Sequence, residues 1–241
     1  MEKSMNLNYQ YTLFGEFSDI KPDDPDTIIK LISLFKEESF MPASFQEFNM
    51  NIMPPKMDNR ISLINKDGIT INIGNTRLDL IFAYNEQGKY KEMNVNDITI
   101  KAIKMLQLLL KEFNKNCNRI ALNTMHLLSS DESNKVIKKH KENNQIIAYY
   151  NVNEPYEWNE RWVAKKKCQE INEEINVITN LNKTKGSVAN NNNVIPFDGI
   201  MLQFDINTLA ENLNYRFSEI EIEKFFNNAI EEKECIEKNL I

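Results

Sequence analysis

Residues 60–84 alternate apolar and polar side chains through three short runs whose spacing predicts a three-strand antiparallel meander. Side chains two apart in a strand share a face. Ile61 and Leu63 therefore form one set, Ile69, Ile71 and Ile73 a second, and Leu78, Leu80, Phe82 and Tyr84 a third. The sets merge into one apolar face only with suitable turns, because a one-residue slip turns a whole strand over. A three-residue loop Lys66-Asp67-Gly68, with Gly68 left-handed, pairs Leu63 with Ile71 and Ile61 with Ile73. A two-residue loop Gly74-Asn75 then predicts Leu78 opposite Ile71 and Leu80 opposite Ile69. The reverse face carries Arg60, Ser62, Asn72, Arg77 and Asp79, a polar set that folding of the meander does not explain. It is the first candidate interaction surface.

Around this meander the chain reads as mixed elements. Residues 9–17 alternate as a strand, with Tyr9, Tyr11, Leu13 and Phe17 on one side. Asp24 as N-cap with Pro25 at the first helical position opens a helix whose stripe is Ile28, Ile29, Leu31, Ile32 and Phe35. An extended segment over 43–53 is expected to pair with the meander and to end at Pro54-Pro55. Asn96 or Asp97 is expected to cap a strongly apolar helix over 98–114, with Ile98, Ala102, Met105, Leu109 and Phe113 as its main stripe. A strand follows over 117–128, then a polar excursion over 129–144 whose Lys138-Lys139-His140-Lys141 run reads as a solvated face.

The second half is less regular. Residues 157–166 and 174–183 read as strands, although Ile171, Ile175 and Ile178 also fit helical spacing. Residues 185–193, with Gly186 and four consecutive asparagines, are expected to form a mobile loop. Ile200, Leu202, Phe204 and Ile206 alternate inward along another strand, and Ser218 with Glu221 spells a capping box for the last helix. The fold class expected is α+β, with antiparallel sheets, packed helices and two lobes. The expected division is an N-terminal lobe over 1–128, the polar excursion over 129–144 and a C-terminal lobe over 145–241.

Composition narrows the functional classes. A net charge of -6 and a pI near 5.2 leave no global footprint for nucleic acid. No apolar run approaches the roughly 20 residues of a membrane-spanning helix, so a cytoplasmic protein without membrane association is expected. Three widely spaced cysteines, Cys117, Cys168 and Cys235, do not form a disulfide framework. The run Lys183-Thr184-Lys185-Gly186-Ser187 lacks the leading glycine and the Gly-Lys-Ser/Thr ending of a phosphate-binding loop. His126, His140 and the cysteines show no zinc-ligand spacing, and no cofactor is expected.

Three functional readings remain. The preferred one is a non-enzymatic interaction or regulatory protein, with another protein or a second copy as its partner. The second is a metal-dependent hydrolase or nuclease using the strand carboxylates Glu47, Asp79 and Asp205. Asp79 also has a simpler reading as the ion-pair partner of Arg77 on the same sheet face. The third is a nucleic-acid-binding module at Trp158 and Trp162 with the basic run Lys165, Lys166 and Lys167.

The meander, the apolar helix and the run Arg119-Ile120-Ala121-Leu122-Asn123 resemble a sporadically distributed, uncharacterised family of bacterial proteins of similar length, in which that strand reads Arg-Ile-x-Leu-Arg. Leu202-Gln203-Phe204-Asp205-Ile206-Asn207, leading into the last helix, is similar to the terminal strand of that family. The resemblance spans residues 60–238 and departs from the family at Asn123. It implies an α+β fold and a sporadic spread consistent with mobile elements, and it supplies no catalytic residue; under the preferred reading the protein is expected to be an accessory or regulatory component in phage or mobile-element conflict.

Overall fold

The computed structural model describes residues 4–49, 56–85, 88, 93–143, 150, 152–153, 155–190 and 193–241. Its organising element is one antiparallel sheet of nine strands: β1 (Met5–Gly15), β2 (Met41–Asn49), β3 (Lys56–Ile64), β4 (Ile69–Ile73), β5 (Arg77–Ala83), β6 (Cys117–Leu127), β7 (Trp158–Cys168), β8 (Glu173–Asn190) and β9 (Asn193–Thr208). The spatial order is β2-β3-β4-β5-β1-β6-β9-β8-β7. Helices α1 (Pro25–Leu34), α2 (Val95–Glu112), α3 (Ser130–Asn143) and α4 (Glu219–Leu240) complete the fold. It is thus a mixed α+β protein dominated by its sheet. Among the described residues no helix is long and apolar enough to cross a membrane.

The two halves of the chain follow one plan. In each, an 11-residue strand is followed by a helix, a meander and a second helix, and the last meander strand returns beside the first strand. The two first strands, β1 and β6, pair antiparallel at the centre, with Tyr11 opposite Leu122 and Leu13 opposite Ile120. No break in the sheet accompanies the sequence division near residues 128 and 145. One core runs across the centre, from Ile61 and Ile71 through Tyr11 and Leu122 to Ile206 and Val177.

These four helices pack on the same side of this sheet. Leu31 and Phe35 of the α1 region, Leu106 and Leu109 of α2, and Phe225 and Phe226 of α4 join that core, while Val136 of α3 packs with Leu181, Leu202 and Phe204. Alternation decides which residues they cover: Ile69, Ile71 and Ile73 are buried, and so are Leu78, Leu80 and Phe82. Tyr11 reinforces the centre with edge-on contacts to Phe82 and Phe226 and a 2.8 Å hydrogen bond to Thr99 on α2. In α1 the stripe is narrower than its sequence suggests. Leu31 is buried but Ile29 and Ile32 face solvent, because α1 covers only the β2 margin of the sheet.

Local signals are realised closely at several helix ends. Asp24 caps α1 by accepting from the Asp26 amide, with Pro25 at the first turn. Ser218 and Glu221 form the reciprocal capping box of α4. The cap of α2 is Asn94, not Asn96 or Asp97: its Oδ1 accepts from the Asp97 amide at 2.9 Å, so the helix starts a few residues earlier.

The meander keeps its faces but changes one register. Gly68 takes φ +91° in the three-residue turn, and Leu63 lies opposite Ile71 as expected. After β4, however, Ile71 pairs with Leu80 and Ile73 with Leu78, so the turn is Asn75-Thr76. The shift is two residues and leaves each side chain on its proper face. Contacts from outside the hairpin hold this turn. The Asn75 amide donates to Glu47 Oε2 at 2.8 Å, the Phe17 amide donates to the Asn75 carbonyl at 2.8 Å, and the Gly15 amide donates to the Thr76 carbonyl at 3.1 Å. At Gly74 a Cβ would stand 2.9 Å from Glu47 Oε1, so a larger residue there would displace the Glu47 carboxylate that holds this turn.

Two readings in the second half resolve differently. Residues 157–166 and 174–183 are strands, within β7 and β8. Residues 185–190 and 193 lie in strands and not in a loop. β8 and β9 remain paired to Asn190 opposite Asn193, so backbone hydrogen bonds carry a polar segment that is poor in strand formers apart from Val188. The Pro54-Pro55 break lies outside the described residues.

Arg60 is a correction of a different kind. It is buried, and its guanidinium donates to the carbonyls of Phe17 (2.7 Å), Ser18 (3.3 Å), Ile20 (2.9 Å), Ile73 (3.2 Å) and Gly74 (3.0 Å). It clamps the chain leaving β1 onto the β4–β5 turn, so it offers nothing to a partner. Arg60→Ala should lower stability by about 2–4 kcal/mol. Arg60→Lys should recover only part of that, because an ammonium has three donors in place of five. Urea unfolding midpoints at constant m would measure both.

Candidate functional site

With α1, α2, α3 and α4 on one side, none of these four helices covers the opposite face of the sheet. Its side chains follow from register. One row of facing residues crosses all nine strands: Ala43, Ser62, Asn72, Asp79, Thr12, Ala121, Asn207, Asn176 and Lys165. The neighbouring row runs Met41, Ile64, Thr70, Ile81, Gln10, Asn123, Asp205, Ile178 and Val163. Apolar residues lie toward both margins of the second row, whereas its centre is polar.

The central strands form a depression of about 570 Å³ lined by Asn8, Gln10, Thr12, Phe14, Arg77, Arg119, Ala121, Asn123, Met125, Asn180, Gln203 and Asp205. At one end the Arg119 guanidinium lies 4.6 Å from the centre of the Phe14 ring and that of Arg77 lies 5.7 Å from it. Arg119 is held by Nε donating to the Thr208 carbonyl at 3.2 Å and Nη2 donating to Asn207 Oδ1 at 3.3 Å. Asp79 accepts from Arg77 Nε (2.8 Å), Gln10 Nε2 (2.9 Å) and Thr12 Oγ1 (2.6 Å). The expected Arg77–Asp79 pair is thus part of a larger network. Asp205 accepts from Asn207 Nδ2 at 2.8 Å. Among the described residues, the side-chain amides of Asn8, Asn123 and Asn180 have no hydrogen-bond partner, although all three line the groove. Each offers donors and an acceptor to a ligand.

The first candidate surface is therefore split by its surroundings. Asn72, Arg77 and Asp79 belong to the open face, and Arg77 and Asp79 adjoin the groove. Ser62 shares that face but is buried, with its hydroxyl donating to Asn72 Oδ1 at 2.7 Å. Arg60 is withdrawn into the fold as described.

The second patch does not assemble. Alternation along β7 sends Trp158, Trp162 and Lys166 to the helical side and Lys165 and Lys167 to the open side. Trp158 stacks on His140 of α3 at 3.9 Å between ring centres, and Glu160 also bonds that histidine. Lys166 pairs with Glu232 of α4. Lys167 donates to the Asn172 carbonyl at 2.6 Å, leaving Lys165 as the member that extends the central row.

The strand carboxylates do not converge either. Asp79 on β5 and Asp205 on β9 are three strand steps apart, roughly 14 Å at the usual spacing. Glu47 lies on β2 at the far margin, engaged with the Asn75 amide. Among the described residues no three His, Cys, Asp or Glu side chains are grouped as metal ligands. Cys117 and His126 stand near opposite ends of β6, and burial pushes the Cys117 thiol up to about 12, far from a nucleophilic thiolate.

His126 instead belongs to a polar cluster on the helical side. Its Nδ1 lies 2.9 Å from Glu237 Oε1, which also accepts from the buried Lys233 ammonium at 2.7 Å. Lys233 sits 5.9 Å from the Tyr9 ring centre and 5.8 Å from that of Phe204. Burial and the nearby Glu237 charge push the Tyr9 phenol up. Burial also raises the Glu237 carboxyl, but the His126 hydrogen bond and the Lys233 charge outweigh it and leave the group below its usual range.

No protein-family model and no curated protein matches the chain.

The Glu237 shift has a defined pH consequence. A carboxyl depressed on folding stabilises the native state fully above its unfolded pKa, and that contribution is lost as pH falls through the folded pKa. Stability should therefore decline in the acid range below the ordinary glutamate value. Glu237→Gln should flatten this decline, while lowering neutral-pH stability by about 3 kcal/mol because Lys233 is left buried without its counter-charge. Urea unfolding of both proteins between neutral pH and the carboxylate range would test it.

Proposed function

We propose that this chain is a non-enzymatic interaction protein that holds another protein on the open face of its sheet. The observation that carries this reading is the one-sided cover: four helices occupy one face, and the other presents a concave, amide-rich surface with unpartnered polar groups. Such groups are well solvated when free and can exchange water for a partner at little net cost. The separation of Glu47, Asp79 and Asp205 argues against the hydrolase reading, because metal-assisted hydrolysis requires ligands around one ion. A second copy of the chain is the competing occupant, and sedimentation velocity distinguishes it by a concentration-dependent dimer.

Asn123→Trp and Gln203→Trp place bulk in the groove without adding charge or removing a hydrogen bond on which the core depends. Both should abolish stable capture of a partner from the native host while preserving the circular dichroism spectrum. Ile100→Arg, on the exposed side of α2, should leave capture intact. Equal capture by all variants would overturn the reading, as would a protein that stays monomeric and retains no partner.

A further inference from the structure

Resting on that reading, we propose that the groove recognises an acidic peptide segment lying across the strands from Arg119 toward Lys165. The first reason is charge. By register, the open face from β5 to β7 carries Arg77, Arg119, Arg161, Lys165 and Lys167 against Asp79, Asp205 and Glu174, on a chain whose net charge is -6. The acidic surplus therefore lies elsewhere, and this face is the electropositive one. Two of these carboxylates are engaged, Asp79 by Arg77, Gln10 and Thr12 and Asp205 by Asn207, and Glu174 lies at the β7 end of the face, in register with Lys167. Among the described residues Lys165 has no acidic partner, and Arg119 makes hydrogen bonds through Nε and Nη2 only, to neutral oxygens.

The second reason is the chemistry between these cations. Asn123, Asn180 and Gln203 offer amide donors and acceptors that match peptide groups. Phe14 already has two guanidiniums 4.6 and 5.7 Å from its ring centre, and these compete with a stacked base. Binding of a nucleic acid strand would also call for about one cation per neutralised phosphate, whereas the cations here are separated. β6 and β7 are three strand steps apart, roughly 14 Å, or about four residues of extended peptide. The segment recognised thus carries two acidic side chains four residues apart.

Fluorescence anisotropy with the full chain at low salt tests this. The probes are a labelled octapeptide with two glutamates four residues apart, the same peptide with glutamines, and an eight-nucleotide oligothymidylate. The glutamate peptide should bind at least about tenfold more tightly than either control, and Arg119→Gln or Lys165→Gln should weaken it about tenfold, the order expected for losing a charge-assisted hydrogen bond. Because Arg119 also supports the β6–β9 end, Lys165→Glu serves as a surface variant, and a lysine-substituted peptide should regain affinity for it. Equal binding of the glutamate and glutamine peptides, or tighter binding of the oligonucleotide, overturns the inference. If a captured partner is lost with Asn123→Trp yet kept with Arg119→Gln and Lys165→Glu, the acidic-peptide inference fails and the interaction surface stands. If Asn123→Trp keeps the partner, the surface reading itself fails.

Discussion

Antiparallel pairing of β1 with β6 sets the rest of the structure in place. It aligns Tyr9, Tyr11 and Leu13 with Thr124, Leu122 and Ile120 on one face, and Asn8, Gln10 and Thr12 with Met125, Asn123 and Ala121 on the other. Each strand carries its own meander on its outer side, so this one ladder joins two similarly wound halves. α2 and α4 then meet over the joined apolar face, where Phe226 touches Tyr11. Burial of a continuous apolar surface is the main source of stabilisation here, and its one-sidedness leaves the second face open.

The open face is not a passive remainder. Its central side chains are placed by rigid, hydrogen-bonded strands, and several are held by neighbours: Asp79 by three donors, Arg119 by two acceptors and the Phe14 ring. Ordered side chains lose less conformational entropy when a partner arrives. Arg60 shows the opposite use of the same residue type. Its donors are satisfied internally, and the clamp it forms positions the β4–β5 turn beside Arg77.

The buried Lys233–Glu237–His126 group lies across the sheet from the groove and holds the C-terminal part of α4 against β6. Its charges satisfy one another in an apolar setting formed partly by Tyr9 and Phe204. Removing one member exposes the desolvation cost of the rest, so the group ties α4 to the sheet specifically. These histidine and lysine side chains serve the fold, and the arginines and amides of the proposed binding surface lie on the other side.

Local alternation determined the faces of β4, β5, β6 and β9, the left-handed turn at Gly68, the α1 cap and the capping box of α4, because each depends on neighbours a few residues away. It also contained the groove in latent form. The positions between the apolar ones in β1, β6 and β9 are Asn8, Gln10, Thr12, Asn123, Gln203 and Asp205, and the same period separates the tryptophans from Lys165 and Lys167. What only the tertiary structure decided was which strands stand side by side. That order withdrew Arg60 beneath five carbonyls, moved the β4–β5 turn by one residue through Glu47 and Phe17, extended the asparagine-rich segment as a hairpin, and brought Phe14, Arg77 and Arg119 together from three separate parts of the chain. Strand order and long-range register depend on the packing of the whole apolar face, and no window of sequence contains that information.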